Sequence, residues 1–268
     1  METLAIRELT PYEDVNEILV SITQGASEIL GDDLVGLYLT GSLSYDDFNP
    51  GRSDIDLVSV VRQPLSKDQL EKIQALHEHV EQENESWAKR IECSYIPVEM
   101  LSQTLPPKAP RPYVGEGKFY AEAPYGNEWL INNYLLSKHG IALKGPDFRT
   151  LISPIDIEDV KKACVRDVFK EWEPKINDPD YLRNSHYQSY VVLNICRVLY
   201  TVMKNELASK RVSIAWAREE FPQWGELIQE AENWKYGQKM HSEDETKKFL
   251  KFVIDTLSPL RSWASSET

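Results

Sequence analysis

"GLYLTGSLSYDDFNPGRSDIDLVSVV", residues 36–61, is the stretch that decides the fold of the first half of the chain. Its two apolar runs are short and β-prone, which predicts two strands joined by a polar loop. Gly41 and Ser42 end the first run, and Asp54 and Asp56 open the second. Because residues two apart in a strand face the same side, we expect the two carboxylates to point together.

Two like charges held this close are unfavourable unless a cation neutralises them. Magnesium takes oxygen ligands and often binds between carboxylates and substrate phosphates. Gly41 would let the backbone approach a ligand closely, and the hydroxyl and N–H of Ser42 suit phosphate oxygens. The alternatives are an ordinary Gly-Ser turn, and a pair in which one aspartate caps the loop while the other meets solvent.

The net charge and the spacing of the cysteines limit the classes of protein to which the chain can belong. The 268 residues carry a formal net charge of -13, from 43 acidic and 30 basic side chains. This balance argues against nucleic acid as a partner and suits a cationic ligand, although acidic surfaces also serve solubility alone. Cys93, Cys164 and Cys196 lie in apolar surroundings without disulfide or zinc spacing, which predicts buried thiols. We expect a cytoplasmic protein with no membrane contact, because we find no signal peptide and no membrane-length apolar run.

Helix and strand signals continue on both sides of the opening stretch. Thr10 with Glu13 predicts a capping box, for a helix that ends at Gly31. Ser66 with Gln69 predicts a second capping box. These signals place one helix before the first strand and another after the second.

The region that follows reads as a third strand and then a loop. "RIECSYIPV", residues 90–98, predicts the strand. Residues 104–126 are rich in Pro and Gly and predict a long loop, of a length that is often functional. A helix from Asn127 to about His139 and a short strand or turn in residues 140–146 complete this half.

Beyond Pro154 the pattern predicts only helices. We therefore predict an α/β domain over residues 1–150 and a helical domain over residues 151–268. The predicted helices cover about 156–174, 184–206, 211–236 and 242–258.

The order of strand, Gly-Ser, loop, Ser53-Asp54-Ile55-Asp56 and strand resembles the signature of the nucleotidyltransferase superfamily related to DNA polymerase beta. That superfamily carries a third carboxylate on a neighbouring strand, and Glu92 is the candidate here. Simple alternation could instead place Glu92 at an exposed strand position. Glu99 is the weaker competitor, because it falls after Pro97 and is expected to open a helix.

The helical half contains one unexpected basic side chain, Arg197. "SYVVLNICRVLYTVM", residues 189–203, is apolar nearly all round but includes Arg197, with Asn194 one turn earlier. A buried arginine needs a partner. The partner of Arg197 could be an acidic side chain in an internal salt bridge. It could equally be a triphosphate, since guanidinium and phosphate match in geometry.

The chain also resembles a narrower family, the bacterial aminoglycoside nucleotidyltransferases of the streptomycin and spectinomycin adenylyltransferase type. The resemblance rests on the Gly-Ser to Asp-x-Asp segment and on "RIECSYI", "HGIALKGP", "NICRVLYTV" and "LASKRVSIAWA". It implies an α/β nucleotidyltransferase domain with a small mixed sheet, followed by an all-α helical bundle. The implied reaction transfers AMP from ATP to a hydroxyl of a small cationic antibiotic, with two magnesium ions, in a monomeric enzyme.

The resemblance also implies roles for single residues. Asp54, Asp56 and Glu92 would ligate magnesium, and Glu92 would act as the base. The implied nucleotide-binding residues are Gly41, Ser42, Ser53, Arg197, Lys210 and Tyr236. The implied substrate-binding residues are Trp172, Asp178 and Tyr187.

Substrate choice is where the chain departs from the family pattern. Streptomycin-active members place a tryptophan in the loop where this chain offers Phe119 and Tyr120. We therefore expect spectinomycin to be favoured over streptomycin. The competing interpretations are a protein- or RNA-directed nucleotidyltransferase and a non-catalytic nucleotide-binding protein of the same fold.

Overall fold

The structure, a computed structural model, describes residues 3–45, 47–178 and 180–265. The chain divides into two compact units. The first comprises Met1–Tyr125 with Asn132–Pro154, and the second comprises Gly126–Ile131 with Ile155–Thr268. A mixed sheet with helices forms the first unit and helices form the second, which confirms the predicted fold class.

One mixed sheet of six strands organises the described part of the first unit, in the order β5-β4-β3-β2-β1-β6. Strands β2 and β3 run parallel, and the other neighbouring pairs are antiparallel. The strands are β1 (Leu34–Thr40), β2 (Ile55–Val61), β3 (Ile91–Pro97), β4 (Arg111–Gly115), β5 (Lys118–Ala123) and β6 (Ile141–Lys144). The helices of this region are α1 (Thr3–Arg7), α2 (Glu13–Leu30), α3 (Lys67–Glu83) and α4 (Trp129–His139), the last divided between the two units.

The first unit buries one face of its sheet in an apolar core. Alternate strand residues such as Leu37, Ile55 and Ile91 are fully buried there, together with Ile18 and Ile22 of α2. Burial of each such side chain contributes about 1.5–3 kcal/mol, which fixes the register of the strands. The intervening residues of the same strands must therefore lie on the opposite face.

The two predicted capping boxes have different outcomes. The Ser66 hydroxyl accepts from Gln69 N–H, and the Gln69 side chain accepts from Ser66 N–H, so the second box is confirmed. The first is wrong, because α2 begins at Glu13 without a side-chain cap. The hydroxyl and N–H of Thr10 both donate to Asn16 Oδ1 instead, which ties the loop to the helix flank.

The predicted loop over residues 104–126 is also wrong in its centre, where β4 and β5 form a hairpin that extends the sheet. Its two-residue turn is Glu116-Gly117, with φ of 54° and 71°. Two successive residues with positive φ are what a tight hairpin turn needs. Phe119 and Tyr120, expected in a loop, lie on β5.

The second unit is helical over its described residues, as predicted, with α7 packed against α5, α8, α9 and α10. Its helices are α5 (Ile157–Asp167), α6 (Glu173–Lys175), α7 (Ser185–Lys204), α8 (Lys210–Glu220), α9 (Gly225–Asn233), α10 (Glu243–Leu257) and α11 (Ser262–Ser265), with a π-helical turn at Val168–Trp172. The single helix expected over 211–236 is wrong. Helix α8 ends before Pro222, which cannot donate to the helical ladder, and α9 follows.

All three cysteines are buried and free, as predicted. Burial raises the pKa of the Cys164 thiol to about 12, so it stays protonated and behaves as a small apolar side chain. No helix within the described residues combines the length and apolar content needed to cross a membrane.

Candidate active site

Asp56 and Glu92 occupy paired positions on the parallel strands β2 and β3. Their neighbours Ile55 and Ile91 are fully buried in the core, so both carboxylates lie on the opposite face of the sheet. Glu99, the competing candidate, lies past the end of β3 in the exposed part of the 3₁₀ turn Val98–Ser102. Register therefore brings Glu92, rather than Glu99, beside Asp56.

Gly41 lies directly beneath the Asp56 carboxylate. Its φ is +66°, and a β-carbon at this position would come within 1.9 Å of Asp56 Oδ2. Ser42 follows in a 3₁₀ turn, and its carbonyl accepts a hydrogen bond from Asp47 N–H at 3.0 Å. The Gly-Ser pair predicted from sequence thus forms a turn that has no room for a larger residue at its first position.

Asp54 lies one residue before the start of β2 and approaches Arg90, with 3.7 Å between Oδ1 and Nε. The Arg90 guanidinium lies 4.3 Å from the centre of the Trp87 ring and donates to the Ser53 carbonyl. The Ser53 hydroxyl oxygen accepts from Asn49 N–H at 3.0 Å. In this conformation Asp54 and Ser53 hold the polar loop in place beside the Asp56–Glu92 pair.

Tyr113 is a site residue that the sequence interpretation missed. Its hydroxyl donates a hydrogen bond to the Glu92 carboxylate. The pKa of Tyr113 is raised above its ordinary value, first by burial and then by the nearby charges of Glu92 and Asp56. Both carboxylates therefore lie close to this ring. Residues 104–126 were predicted as a loop from their Pro and Gly content, so Tyr113 was not considered as a strand residue.

A magnesium site of three converging carboxylates is not assembled among the described residues, where no group of three His, Cys, Asp or Glu side chains is placed to hold a metal ion. Magnesium, however, is usually held by one or two carboxylates together with substrate phosphates and water. Asp56 and Glu92 supply hard oxygen donors at adjacent strand positions, so the residues fit such an ion. Ligation by Asp54, Asp56 and Glu92 stays a prediction.

The predicted nucleotide-binding residues of the second unit lie on or next to α7 and α8. Arg197 is half-buried rather than buried, and its Nε has no hydrogen-bond partner within the described residues. An internal salt bridge for Arg197 is absent among those residues as well. Lys210 begins α8, and its Nζ lies 5.3 Å from the centre of the Tyr190 ring. Tyr236 stacks on His186 with 5.4 Å between ring centres.

Two of the predicted substrate-binding residues, Asp178 and Tyr187, contact Tyr181, and the third, Trp172, packs against Tyr190 with 5.8 Å between ring centres. Tyr187 stacks on Tyr181 with 4.4 Å between ring centres and 3° between ring planes. Asp178 Oδ1 accepts from Tyr181 N–H at 3.1 Å. Trp172 Nε1 donates to Asp167 Oδ2 at 2.7 Å. Burial raises the pKa of Tyr181 above its ordinary value, and Tyr187, Glu171, Asp167 and Asp178 raise it further. The surface around Tyr181 is therefore aromatic and acidic.

Asp167 is the second residue that the sequence interpretation missed. It is buried at the end of α5, and its pKa is raised to about 7, by burial and then by Glu128. The hydrogen bond from Trp172 acts in the opposite direction and favours the ionised form. The π-helical turn that follows α5 carries Glu171 and Trp172, in keeping with the frequent occurrence of such turns at functional sites.

Two family models match the chain, one in the α/β half and the other in the helical half. Residues 22–107 match the nucleotidyltransferase domain, and residues 150–258 match the aminoglycoside adenylyltransferase C-terminal domain. The resemblance and the α/β-then-helical fold predicted from sequence are confirmed. The chain is an enzyme of the nucleotidyltransferase type.

Curated relatives and a solved structure agree with these matches. Spectinomycin 9-adenylyltransferase of Campylobacter jejuni is 25% identical over 226 residues, 79% of this chain and 80% of the relative. The enzyme of the same name from Staphylococcus aureus is 27% identical over 205 residues, 71% of this chain and 73% of the relative. A crystal structure of a spectinomycin adenyltransferase from Enterococcus faecialis with ATP and spectinomycin superposes with a TM-score of 0.71 at 18% identity, over 89% of this chain and 98% of that one. The last comparison establishes a shared fold.

Proposed function

We propose that this nucleotidyltransferase transfers AMP from ATP to a hydroxyl group of an aminocyclitol antibiotic, with spectinomycin as the preferred acceptor. The observation that carries the proposal is the pairing of Asp56 with Glu92, next to a turn at Gly41 that leaves room only for hydrogen. Two carboxylates beside a tight Gly-Ser turn suit a triphosphate with its metal ion.

The choice of acceptor rests on the relatives. Two of the curated proteins reported above are spectinomycin 9-adenylyltransferases, and the superposed structure contains spectinomycin. The acidic and aromatic surroundings of Tyr181 suit a cationic acceptor, because carboxylates attract its ammonium groups and aromatic faces bind cations.

The chemistry is an in-line displacement at the α-phosphorus of ATP. Glu92 takes the proton of the acceptor hydroxyl while the hydroxyl oxygen bonds to the phosphorus. The bond from the α-phosphorus to the bridging oxygen of the β-phosphate breaks, and pyrophosphate leaves with that oxygen. Glu92 is suited to this role because it projects from a strand whose backbone is fixed on both sides by neighbouring strands.

Magnesium, when bound, would neutralise charge on the triphosphate and polarise the α-phosphorus. Asp56 and Glu92 would hold it, and Asp54 would join them by releasing Arg90. The Asp54–Arg90 contact is long, with 3.7 Å between Oδ1 and Nε.

The remaining predicted residues receive roles that their surroundings support. Arg197 and Lys210 would bind phosphate oxygens, and Tyr236, about 41% exposed, would present an aromatic face to the adenine. Trp172, Asp178 and Tyr187 would bind the acceptor. Gly41, Ser42 and Ser53 would contact the phosphates through backbone N–H groups and hydroxyls.

The direct test is incubation of the purified protein with magnesium and ATP in the presence of spectinomycin, streptomycin or no antibiotic. We expect pyrophosphate release that depends on spectinomycin, and a product that mass spectrometry identifies as the antibiotic carrying one AMP. Glu92→Gln is the matched control, since it keeps the size of the side chain and removes the base.

Other outcomes identify the competing functions. Transfer of AMP to an added protein, with no modified antibiotic, would favour a protein-directed nucleotidyltransferase. ATP binding without pyrophosphate release in any mixture would favour a non-catalytic nucleotide-binding protein. Streptomycin modified as fast as spectinomycin would contradict the predicted preference and leave adenylyl transfer intact.

A further inference from the structure

We infer that Tyr113 is a positioning residue for the catalytic base, because its hydroxyl holds one oxygen of the Glu92 carboxylate and leaves the other for the acceptor hydroxyl. The inference rests on the proposed function, in which Glu92 is the base. Neither the sequence signature nor the family matches assign a role to Tyr113.

Strand register brings the two side chains together. Tyr113 on β4 is paired with Ser94 on β3, and Ser94 lies two residues after Glu92 on the same face of the sheet. A tyrosine ring is long enough to reach this diagonal position. The Tyr113 ring therefore lies over Gly115 of its own strand, and its hydroxyl donates to Glu92 on the neighbouring strand.

The ring of Tyr113 is itself held on two sides. Tyr120, its partner on β5, stacks with 6.3 Å between ring centres and 24° between ring planes. The Arg111 guanidinium lies 5.2 Å from the centre of the Tyr113 ring, and its Nε donates to Ser94 Oγ at 3.2 Å. These contacts restrict the rotation of Tyr113, so the hydroxyl is presented to Glu92 without further ordering.

The backbone next to the Tyr113 hydroxyl carries no side chain, because the residue there is Gly115. A β-carbon on Gly115 would come within 2.5 Å of the Tyr113 hydroxyl oxygen. Gly115 is buried and precedes the hairpin turn. A glycine at this position leaves the space that the tyrosine hydroxyl fills on its way to Glu92.

A fixed donor matters because a general base works only in a narrow range of positions. A free glutamate samples several rotamers, and a displacement of about 1 Å can cost about 100-fold in rate. A hydrogen bond from a neutral donor to a carboxylate is short and strong, and it restricts the carboxylate to one orientation. Loss of a partner that orients a functional side chain typically costs about 10- to 100-fold in activity.

Tyr113→Phe keeps the ring, its stacking and its contact with Arg111, and removes only the donor. We expect kcat to fall about 10- to 100-fold while KM for ATP and for spectinomycin changes less than about twofold. Tyr125→Phe is the matched control: Tyr125 also packs on Arg111, and its hydroxyl donates to Met100 Sδ at 3.3 Å, away from Glu92. Tyr125→Phe should retain wild-type kcat.

A double-mutant cycle separates positioning from simple packing. In a Glu92→Gln background, single-turnover rates should be the same with Tyr113 or Phe at position 113, because no base remains to be positioned. The melting-temperature shifts of Tyr113→Phe and Glu92→Gln should likewise be non-additive. This second measurement needs no substrate.

Each outcome decides a separate question. Wild-type kcat in Tyr113→Phe would overturn the positioning role and leave the proposed function standing. Additive melting shifts would overturn the Tyr113–Glu92 contact whether or not an antibiotic is modified. Absence of transfer by the wild-type protein would remove the proposed function, and the positioning role of Tyr113 for that reaction would fall with it.

Discussion

The carboxylate of Asp56 occupies the space that a side chain on Gly41 would need, since a β-carbon there would lie 1.9 Å from Asp56 Oδ2. The glycine and the second aspartate of the opening stretch are therefore one physical unit, although 14 residues lie between them in the sequence. A side chain cannot be added at Gly41 without moving the Asp56 carboxylate.

Gly41→Ala is expected to lower turnover by about 100-fold, because the new methyl group must displace the Asp56 carboxylate by about 1 Å or more. Gly31→Ala is the matched control. Gly31 also has a positive φ, +51°, but nothing lies within 4 Å of its added β-carbon. Both variants should also lose stability, because alanine adopts a positive φ only with strain. Equal turnover in the two variants would contradict the steric argument.

Asp56→Asn should reduce AMP transfer to background while the protein stays folded. The substitution preserves shape and removes one of the two charges at the Asp56–Glu92 pair, so the melting temperature without magnesium should stay the same or rise. Thermal unfolding with and without magnesium, on the sample used for kinetics, measures both effects. An Asp56→Asn variant with near-normal turnover would refute the metal assignment.

Asp54→Asn tests the other aspartate, which approaches Arg90 in this conformation. We expect a loss of stability, since both side chains of the pair are mostly buried and the substitution removes the charge that faces Arg90. Turnover should also be lost if Asp54 ligates magnesium during the reaction. Full turnover with a lower melting temperature would assign Asp54 a structural role alone.

Arg197→Ala and Lys210→Ala should each weaken ATP binding by about 1.5–3 kcal/mol, the usual contribution of a charge-assisted hydrogen bond. Arg197 makes no ion pair among the described residues, so its loss should leave the melting temperature nearly unchanged. Lys204→Ala is the control for Lys210→Ala, because Lys204 Nζ also lies over an aromatic ring, at 5.5 Å from the centre of Trp216. Calorimetric titration of ATP into each variant gives the affinities, and unchanged affinity in Arg197→Ala would exclude its phosphate contact.

Asp167→Asn should change how stability depends on pH. The pKa of Asp167 is raised from 3.8 to about 7, so the folded state binds this proton more tightly than the unfolded chain in that window. The contribution of Asp167 to stability is therefore full below about pH 4 and is lost as the pH rises towards 7.

Asparagine can still accept the hydrogen bond from Trp172 and carries no charge to bury. The variant should therefore exceed the wild type in stability at pH 8, by an amount on the order of a few kcal/mol, and the difference should shrink towards pH 4. Chemical unfolding from pH 4 to pH 8 measures this. The exposed Asp32, changed to Asn, should follow the wild-type profile throughout. An Asp167→Asn variant that parallels the wild type would show that the buried carboxyl does not titrate in this window.

Periodicity and local signals predicted the elements that the core requires. Strands β1, β2 and β3 followed from short apolar runs, and the register of β2 with β3 places Glu92 where the sequence interpretation expected a carboxylate. The Ser66 capping box followed from local chemistry alone. The strands and the cap are determined by residues close in sequence, whereas the position of Glu92 on a neighbouring strand was expected from the family resemblance.

Features that depend on distant neighbours were not predicted. The Pro- and Gly-rich composition of residues 104–126 suggested a loop, and the Glu116-Gly117 turn signal within it was overlooked. The contact of Tyr113 with Glu92 depends on β4 lying next to β3, which periodicity does not specify. Thr10 had the right spacing for a cap, but Asn16 offered its hydroxyl a better acceptor.

Strand β6 has a consequence for synthesis on the ribosome. It pairs with β1 through contacts such as Leu37 with Lys144, although α3, α4 and the strands β2 to β5 are made in the interval between. At about 5–20 residues per second, a nascent chain exposes one edge of β1 for about 5–20 seconds before β6 emerges. An unpaired apolar edge is a template for another copy of the same segment. Chains that stop before Ile141 keep that edge permanently open and are expected to need a chaperone to remain dispersed.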